Sequence, residues 1–168
     1  HAPFEYKNPD NLSPDAVHVM AIFGRLHEWK GQQVALDALA QLPADCHLWI
    51  VGAPLFGEHA FEAALQARAL WLGVATRVHF LGFRDDVPTL MRAADVVVHA
   101  STLPEPFGRV LVEGMLARRP VIATTGGGTC EIITDGRTGL LVPPGDAMAL
   151  AGAVASLRAD PARAAAVA

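Results

Sequence analysis

Two basic side chains bracket the segment GRLHEWKG, residues 24–31, which follows an apolar run and precedes a helical pattern. The start of a helix carries unpaired N–H groups and a partial positive charge. Arg25, Lys30 and this helix start therefore predict a site for a diphosphate. The alternative is a loop with two solvated cations and Gly31 as a turn residue. The segment lacks the GxxxxGK[ST] pattern of a P-loop.

Two acidic residues, Glu105 and Glu113, lie eight positions apart in the segment EPFGRVLVE. Glu105 falls on a predicted loop after a strand, where its carboxylate is expected to accept hydrogen bonds from the hydroxyls of a sugar. Glu113 falls on the following helix, more than one turn in, and is expected to accept hydrogen bonds from the hydroxyls of a ribose. Gly108 opens this helix and lets a ligand approach its N–H groups. Two ordinary exposed acids are the alternative, which the apolar neighbours at 110–112 and 115–116 disfavour.

Three further features follow predicted strands. Gly82, Phe83 and Arg84 offer a flat aromatic surface, a cation and backbone groups to a nucleobase. The glycines at 126–128 form either an anion-binding nest or a plain flexible turn. His99 lies at the tip of a strand, and both a place in the site and a packed place in the core stay open.

The composition describes one folded domain. The chain has 168 residues, of which 52% are hydrophobic and 18% charged, and a formal net charge of −4. This is enough apolar material for one core and too little length for two domains. The acidic balance argues against nucleic acid or an anionic membrane as the main partner. Residues 1–16 contain neither a signal peptide nor a membrane-spanning run, and are predicted to be a linker or N-terminal extension before a domain at 17–168.

The cysteines and histidines do not form a metal-binding pattern. Cys46 and Cys130 lie far apart without a CxxC pair, and the histidines show no HxxxH or HExxH spacing. Neither a disulfide framework nor a metal site is therefore expected. We expect both thiols to be reduced and buried in the core of a cytoplasmic protein.

Short buried strands alternate with helices from residue 17 onward. The predicted strands are 17–23, 47–51, 77–81, 95–99, 120–124 and 139–142, and the predicted helices are 31–42, 58–72, 87–94, 108–117, 129–134 and 146–158. This alternation predicts an α/β fold, a doubly wound parallel sheet of about six strands with helices on both faces (Rossmann-like). Ligands of such sheets bind at the carboxyl ends of the strands. The functional loops are then 24–31, 52–57, 82–86, 99–108 and 124–129.

Together these motifs resemble the C-terminal, donor-binding domain of the retaining glycosyltransferases of family four (glycosyl transferases group 1), which have the GT-B fold. The matching segments are GRLHEWKG, LWIVG, VHFLGFRDDVPTLMRAADVVVHAS, EPFGRVLVEGM, PVIATTGGGTCEII and GLLVPPGD. They occur in the family's order and cover residues 17–155. The EPFG segment, with its second glutamate eight positions on, is the most specific of them.

The resemblance implies a role for each matching position. Arg25 and Lys30 would bind the donor diphosphate and neutralise charge as it leaves, and with Glu105, near the transferred sugar, they form the implied catalytic set. Glu113 would hold the ribose hydroxyls. The implied donor-binding residues are Gly24, Arg25, Lys30, Phe83, Arg84, Glu105, Phe107, Gly108, Arg109, Val110 and Glu113, with Phe83 and Arg84 framing the base and Phe107 and Gly108 lending backbone N–H groups. Members of the family usually need no metal, which agrees with the absence of a DxD motif here.

The implied reaction transfers a sugar from a nucleoside-diphosphate donor with retention of the anomeric configuration. A UDP-sugar is the expected donor. Guanosine and adenosine donors stay open. In this family a second, N-terminal domain binds the acceptor, and this chain lacks it. We therefore expect the chain to bind donor weakly, to be inactive alone, and to form a dimer through apolar surface that the other domain covers. A peripheral contact with a membrane would also be made through the absent domain.

Two other hypotheses compete with a glycosyltransferase. A nucleotide-sugar epimerase shares the GT-B fold but should lack the EPFG…E spacing, which is present here. A non-catalytic nucleotide-binding or regulatory module is the third hypothesis. A response-regulator module would need an acidic pair after its first strand, where this chain has Gly24 and Arg25.

Overall fold

The computed structural model describes residues 17–168, which form six strands and seven helices. The strands are β1 His18–Phe23, β2 Cys46–Val51, β3 Val78–Gly82, β4 Val96–His99, β5 Val121–Thr124 and β6 Leu140–Val142. The helices are α1 Gln32–Leu39, α2 His59–Trp71, α3 Val87–Ala93, α4 Arg109–Leu116, α5 Thr129–Ile132, α6 Ala147–Ala159 and α7 Pro161–Ala166. Short 3-10 turns occur at Glu28–Lys30 and Ala75–Arg77. The predicted extension, residues 1–16, lies outside the described residues.

All six strands pair in parallel, in the order β3-β2-β1-β4-β5-β6. β1 lies in the middle of the sheet, where Ala21 has Trp49 of β2 on one side and Val97 of β4 on the other. From β1 the chain builds outward to one edge, returns to β4 and then builds to the other edge. This confirms the predicted doubly wound sheet. It also places a switch point, the usual ligand site of such folds, between the carboxyl ends of β1 and β4.

Helices cover both faces of the sheet, because alternate residues of a strand point to opposite sides. Val96 and Val98 pack into one apolar cluster with α1 and α6, whereas Val97 packs into the other with α3 and α4. Every residue of β2 and β4 is buried, as expected for central parallel strands. The loops that follow the strands are therefore carried by a closely packed frame.

The C-terminal part of the chain contains one more helix than predicted. Asp146 caps α6, which corresponds to the predicted helix 146–158, and accepts a hydrogen bond from the N–H of Ala149 at 2.9 Å. The alanine-rich residues 159–168 lie beyond the last predicted helix. Asp160 instead accepts from the N–H of Arg163 at 2.9 Å, and Pro161 occupies the first turn of α7. An acidic cap followed by proline is a standard helix start, and alanine continues the helix.

Two smaller features differ from what the sequence indicates. Asp86, an acid directly before the predicted helix 87–94, is placed to cap it but makes no cap hydrogen bond. Its carboxylate instead accepts two hydrogen bonds from Arg84, each at 2.8 Å, a charged two-point contact that is stronger than a cap bond. Cys46 is buried as expected, and this burial raises the pKa of its thiol to about 11. Cys130 is exposed, because the short helix α5 buries only Thr129.

Within residues 17–168, no helix is both long enough and apolar enough to cross a bilayer.

Candidate functional site

The turn after β1 is pressed against the loop after β4. Gly31 adopts φ +78°, and a Cβ atom there would lie 1.8 Å from the carbonyl oxygen of Ala100. Beside it, the N–H of Thr102 donates to the carbonyl of Trp29 at 2.8 Å. Gly31 is therefore the turn residue that the sequence suggested, and it also permits the close approach of two loops from opposite halves of the chain.

An ion pair joins these two loops. Lys30 Nζ lies 2.5 Å from Glu105 Oε1, and it also lies 4.4 Å from the centroid of the Trp29 ring. The Ser101 hydroxyl donates to the same carboxylate oxygen at 2.7 Å. On the other side, His99 Nε2 lies 3.2 Å from Glu105 Oε2. Both oxygens of this carboxylate thus have donors.

These contacts keep Glu105 ionised. Its side chain is only 12% exposed. Burial by itself raises the pKa of this carboxyl, but hydrogen bonds from His99, Lys30 and Ser101 outweigh burial and lower the pKa from 4.5 to about 2. At neutral pH Glu105 therefore accepts hydrogen bonds and stabilises nearby positive charge, and it does not act as a proton donor.

The ion pair lies in a cleft of about 430 Å³ at the switch point. The residues that line the cleft are Phe23, Gly24, Arg25, Trp29, Lys30, Glu105, Pro106, Phe107, Gly108, Arg109 and Val110. The structure thus brings together all of the predicted donor-binding residues except Phe83, Arg84 and Glu113. Loops that are separated in sequence meet there because β1 and β4 are neighbours in the sheet.

Two guanidinium groups in the cleft are available to a ligand. Within residues 17–168, the half-buried side chain of Arg25 makes no hydrogen bond or ion pair, while its backbone carbonyl accepts from the Gln32 amide at 3.0 Å. Arg109 is exposed and, in the same part of the chain, also has no side-chain partner. It begins α4, whose N-cap residue Gly108 forms no side-chain cap. Cations and an uncapped helix start favour an anion in this cleft.

The glycine triplet supports the Glu105 loop. A Cβ atom on Gly127 would lie 2.3 Å from the carbonyl oxygen of Glu105, and one on Gly128 would lie 2.4 Å from that of Pro106. The N–H of Gly128 donates to the Glu105 carbonyl at 2.9 Å. Neither the anion-binding nest nor the flexible turn anticipated this packing of one backbone against another, which holds the backbone of Glu105 in place.

A chain of buried hydroxyls also supports the site and was missed from the sequence. Thr124 Oγ1 donates to the carbonyl of Ser101 at 2.7 Å, and Thr129 Oγ1 donates to the carbonyl of Thr124 at 2.8 Å. Ser101 in turn reaches Glu105. The available signal was a small polar residue at the end of an apolar strand, with Thr124 as the last residue of β5 and Ser101 two residues after β4, since strand ends face the carboxyl edge.

The sequence left open whether His99 lies in the site or in the packed core, and the structure shows both. Its side chain is 6% exposed, so it is part of the packed interior, and it also contacts the Glu105 carboxylate.

The structure separates Glu113 from Glu105. Glu113 is exposed and lines a second groove, of about 320 Å³, between α3 and α4. The inference that its apolar neighbours shield it from solvent is wrong, because Val112 and Leu116 are themselves 43% and 79% exposed. Helix α4 borders both cavities, with Arg109 at the cleft and Glu113 at the groove.

The predicted base-binding residues lie outside the cleft. Phe83 is 81% exposed, and the guanidinium of Arg84 is bonded to Asp86. Val87 and Pro88, the next residues along the chain, line the groove that contains Glu113. Within residues 17–168, no cluster of three or more His, Cys, Asp and Glu side chains is arranged to hold a metal ion.

Sequence comparisons point to one family. Residues 17–160 match the family described as Glycosyl transferases group 1. The lipopolysaccharide core biosynthesis glycosyltransferase LpsE of Rhizobium meliloti (strain 1021) is 38% identical over 146 residues, which are 87% of this chain and 41% of that protein. A D-inositol 3-phosphate glycosyltransferase of Mycobacteroides abscessus is 38% identical over 127 residues, which are 74% of this chain and 28% of that protein. The chain thus spans less than half the length of these curated relatives.

Solved structures agree with the sequence comparisons. The crystal structure of Anabaena HepE in complex with UDP and glucose matches with a TM-score of 0.92 and 41% identity, over 98% of this chain and 44% of that one. The C-terminal domain of a glycosyl transferase group 1 family protein from Francisella tularensis matches with a TM-score of 0.79 and 27% identity, over 89% of this chain and 80% of that one. The resemblance to the C-terminal half of a GT-B fold is confirmed.

Proposed function

The chain belongs to the glycosyl transferases group 1 family, and from this premise we propose that its cleft binds the diphosphate of a nucleoside-diphosphate sugar. The observation that carries the proposal is the meeting of Arg25, Lys30 and Glu105 at the switch point between β1 and β4. Cations there match a diphosphate, and the buried carboxylate beside them matches the hydroxyls of a sugar.

Arg25 meets the diphosphate first, since its guanidinium has no partner to give up among residues 17–168. Lys30 adds a second cation when it leaves Glu105. The start of α4 adds backbone N–H groups that no side chain caps. Together these groups stabilise the negative charge that develops on the leaving diphosphate, a task that a metal ion performs in other phosphate sites. The proposed donor site needs no metal.

Glu105 orients the sugar. Because its carboxylate is ionised and shielded from water, it accepts hydrogen bonds from sugar hydroxyls and favours the positive charge of an oxocarbenium-like transition state. The bond between the sugar and the diphosphate breaks while an acceptor hydroxyl attacks from the same face and passes its proton to the leaving phosphate oxygen, so the anomeric configuration is retained. We assign Glu105 no covalent bond to the sugar.

The nucleoside lies along α4, from the cleft toward the second groove. Glu113 accepts hydrogen bonds from the ribose hydroxyls, and Phe83 and Arg84 frame the base near Val87. This placement is supported by α4 itself, which borders both cavities. The base is uracil in our proposal, because the similar HepE protein was crystallised with UDP and with UDP-glucose.

The acceptor is bound by a second domain in a longer protein. This is supported by the relative LpsE, of which more than half the length lies outside the match and is long enough for another domain. Leu103 and Phe107, on the loop that carries Glu105, are 58% and 79% exposed and are proposed to contact that domain. Without it, the same two side chains favour a dimer of this chain.

Titration calorimetry of the chain with UDP, GDP and ADP, each with and without magnesium, tests the donor site. We expect UDP to bind most tightly, with the same Kd in both conditions, and Arg25→Ala to weaken it. Arg137→Ala is the matched control, because Arg137 is exposed and lies outside the residues that line the cleft. Equal UDP binding by wild type and Arg25→Ala would contradict the proposal, as would binding that depends on magnesium.

A further inference from the structure

We propose that His99 is a positioning residue, which holds the Glu105 carboxylate in place while Lys30 turns from that carboxylate to the donor diphosphate. The inference rests on the proposed function for the movement of Lys30. The contact between His99 and Glu105 does not depend on the proposed function, because the structure itself places Nε2 of the ring 3.2 Å from Oε2 of the carboxylate.

The two oxygens of Glu105 have different donors. Oε1 accepts from Lys30 at 2.5 Å and from Ser101 at 2.7 Å, whereas Oε2 lies 3.2 Å from Nε2 of His99. When Lys30 leaves, Oε1 becomes available to a sugar hydroxyl and keeps only Ser101. His99 is then the group that stops the carboxylate from rotating about its last bond. Without His99, Ser101 would be the one donor of these three that still holds the carboxylate after Lys30 has turned away.

The direction of these bonds assigns the ring proton. An ionised carboxylate only accepts, so the hydrogen that points at Glu105 must be on Nε2 of His99. Ser101 Oγ lies 3.4 Å from the same nitrogen. Since the Ser101 hydroxyl donates its hydrogen to Glu105, its oxygen is left to accept from the ring. The imidazole, hydroxyl and carboxylate form a closed set in which each group orients the next.

Packing alone does not explain a histidine at this position. The rest of β4 is Val96, Val97 and Val98, all buried. The Nδ1 atom of His99 is buried and has no hydrogen-bond partner within residues 17–168. An apolar side chain would fill the strand tip without an unpaired nitrogen, which is unfavourable in the interior. The contact with Glu105 is the interaction that offsets this cost.

Few ionisable groups bear on this contact. Glu105 faces His99 from the loop after β4, and Lys30 lies across the carboxylate on the turn after β1. Strand β5 places Ala123 beside His99. A change in the pH at which Glu105 takes up its proton therefore reflects the loss of His99 or of Lys30. A variant of His99 that keeps Lys30 distinguishes the contributions of the two residues.

The first test uses the unmodified chain, labelled with ¹⁵N at histidine. The ring shifts and one-bond couplings of His99 show which nitrogen carries hydrogen. We expect hydrogen on Nε2. Hydrogen on Nδ1 alone would overturn the proposal, because the ring could then not donate to Glu105.

The second test follows the ¹³C signal of the Glu105 carboxyl as the pH is lowered, in His99→Gln and His99→Asn. Glutamine places its amide near the position of Nε2, and asparagine places it near Nδ1, so only the former reaches Oε2. We expect wild type and His99→Gln to stay ionised to the acid limit of the folded chain, and His99→Asn to take up its proton about one pH unit higher. His47→Gln, which changes a buried histidine outside the cleft lining, is the control and should titrate like wild type.

Nucleotide binding then separates this inference from the proposed function. At neutral pH we expect the ratio of UDP-glucose affinity to UDP affinity to fall several-fold in His99→Asn and to be kept in His99→Gln. If no nucleotide binds to any variant, the proposed function fails, while the carboxyl titration still decides whether His99 holds Glu105. A His99→Asn chain that titrates like wild type would refute the role of His99 even if UDP binds.

Discussion

Lys30 Nζ lies 2.5 Å from Glu105 Oε1, so the cation proposed for the diphosphate is bound to the acid proposed for the sugar. The two residues belong to different loops, and each is largely shielded, with 23% and 12% of the side chain exposed. When the donor binds, Lys30 must therefore leave the Glu105 carboxylate and pair with the diphosphate. Arg25, in the same cleft, has no such partner to release in the described part of the chain, residues 17–168. Unequal roles for the two cations follow from this arrangement.

Arg25→Ala should weaken UDP binding more than Lys30→Ala does. A hydrogen bond to a charged group contributes about 1.5–3 kcal/mol, which corresponds to roughly a ten- to hundredfold loss of affinity for Arg25→Ala. Lys30→Ala also removes the need to break an ion pair, so its loss should be several-fold smaller. Calorimetric Kd values for the two variants give the comparison, and a larger loss for Lys30→Ala would contradict the partner exchange.

Glu105→Gln should raise the affinity for UDP alone. The substitution keeps the shape of the side chain but removes the charge that holds Lys30, and a partly shielded ion pair contributes about 0.5–1 kcal/mol. The expected gain is about two- to fivefold for UDP and smaller for UDP-glucose, which loses its contact with the carboxylate. Asp37→Asn is the control, because it breaks an ion pair with Arg68 outside the cleft. Unchanged or weaker UDP binding by Glu105→Gln would argue against the exchange.

Glu105 should make the stability of the fold depend on acid pH. Its pKa in the folded chain is about 2, below the ordinary value of 4.5, so its stabilising contribution is complete above pH 4.5 and is lost as the pH falls toward 2. Between pH 6 and pH 3 the loss is about 2 kcal/mol of unfolding free energy. Urea unfolding of wild type and Glu105→Gln across this range measures it. The two curves should converge as the pH falls, and parallel curves would show that Glu105 is not held in its ionised form.

Gly31→Ala should destabilise the chain far more than Gly136→Ala. The two glycines have similar angles, φ +78° and +75°, but a Cβ atom on Gly31 would lie 1.8 Å from the carbonyl oxygen of Ala100, while one on Gly136 meets nothing within 4 Å. The positive φ by itself costs about 1–2 kcal/mol for alanine at either position. The clash adds several kcal/mol at Gly31 alone, which thermal or urea unfolding of the pair would resolve. Equal destabilisation would mean that the two loops separate easily.

Glu113→Gln should distinguish the nucleoside from the diphosphate. Glu113 lies at the groove and not in the cleft, so its loss should weaken UDP several-fold through the ribose hydroxyls and leave inorganic pyrophosphate unaffected. Arg25→Ala should weaken both ligands. Competition of UDP and pyrophosphate for the wild-type chain shows first that they share a site. Equal effects of Glu113→Gln on both ligands would contradict the placement of the nucleoside along α4.

Much of this arrangement could be predicted from single residues and their neighbours. The alternation of apolar runs with helical spacing predicted all six strands and the doubly wound sheet, because buried parallel strands need continuous apolar residues. The positions of Gly24, Arg25, Lys30 and Glu105 after strands predicted that they meet at one edge. The six matching segments together, with EPFGRVLVE the most specific of them, predicted the family.

Other features depend on contacts between segments that are distant in sequence. The exposure of Glu113 was misjudged, because its apolar neighbours divide between two sides of the helix: Leu111 is buried, whereas Val112 and Leu116 are 43% and 79% exposed. The packing of the glycine triplet beneath Glu105 depends on where two backbones pass each other. Neither relation has a period or a spacing that local sequence could reveal.

The sequence by itself thus determined which residues reach the carboxyl edge of the sheet, because strand ends and helix starts follow from local hydrophobicity and capping. Only the tertiary structure decided what each of them contacts. Lys30 bonds Glu105 because the order of the strands sets β1 beside β4, and His99 supports that carboxylate because a strand tip and the loop after it fold over the same point. Lys30 and Glu105 are 75 positions apart in sequence, so their contact forms only after the crossings of the chain have set β1 beside β4.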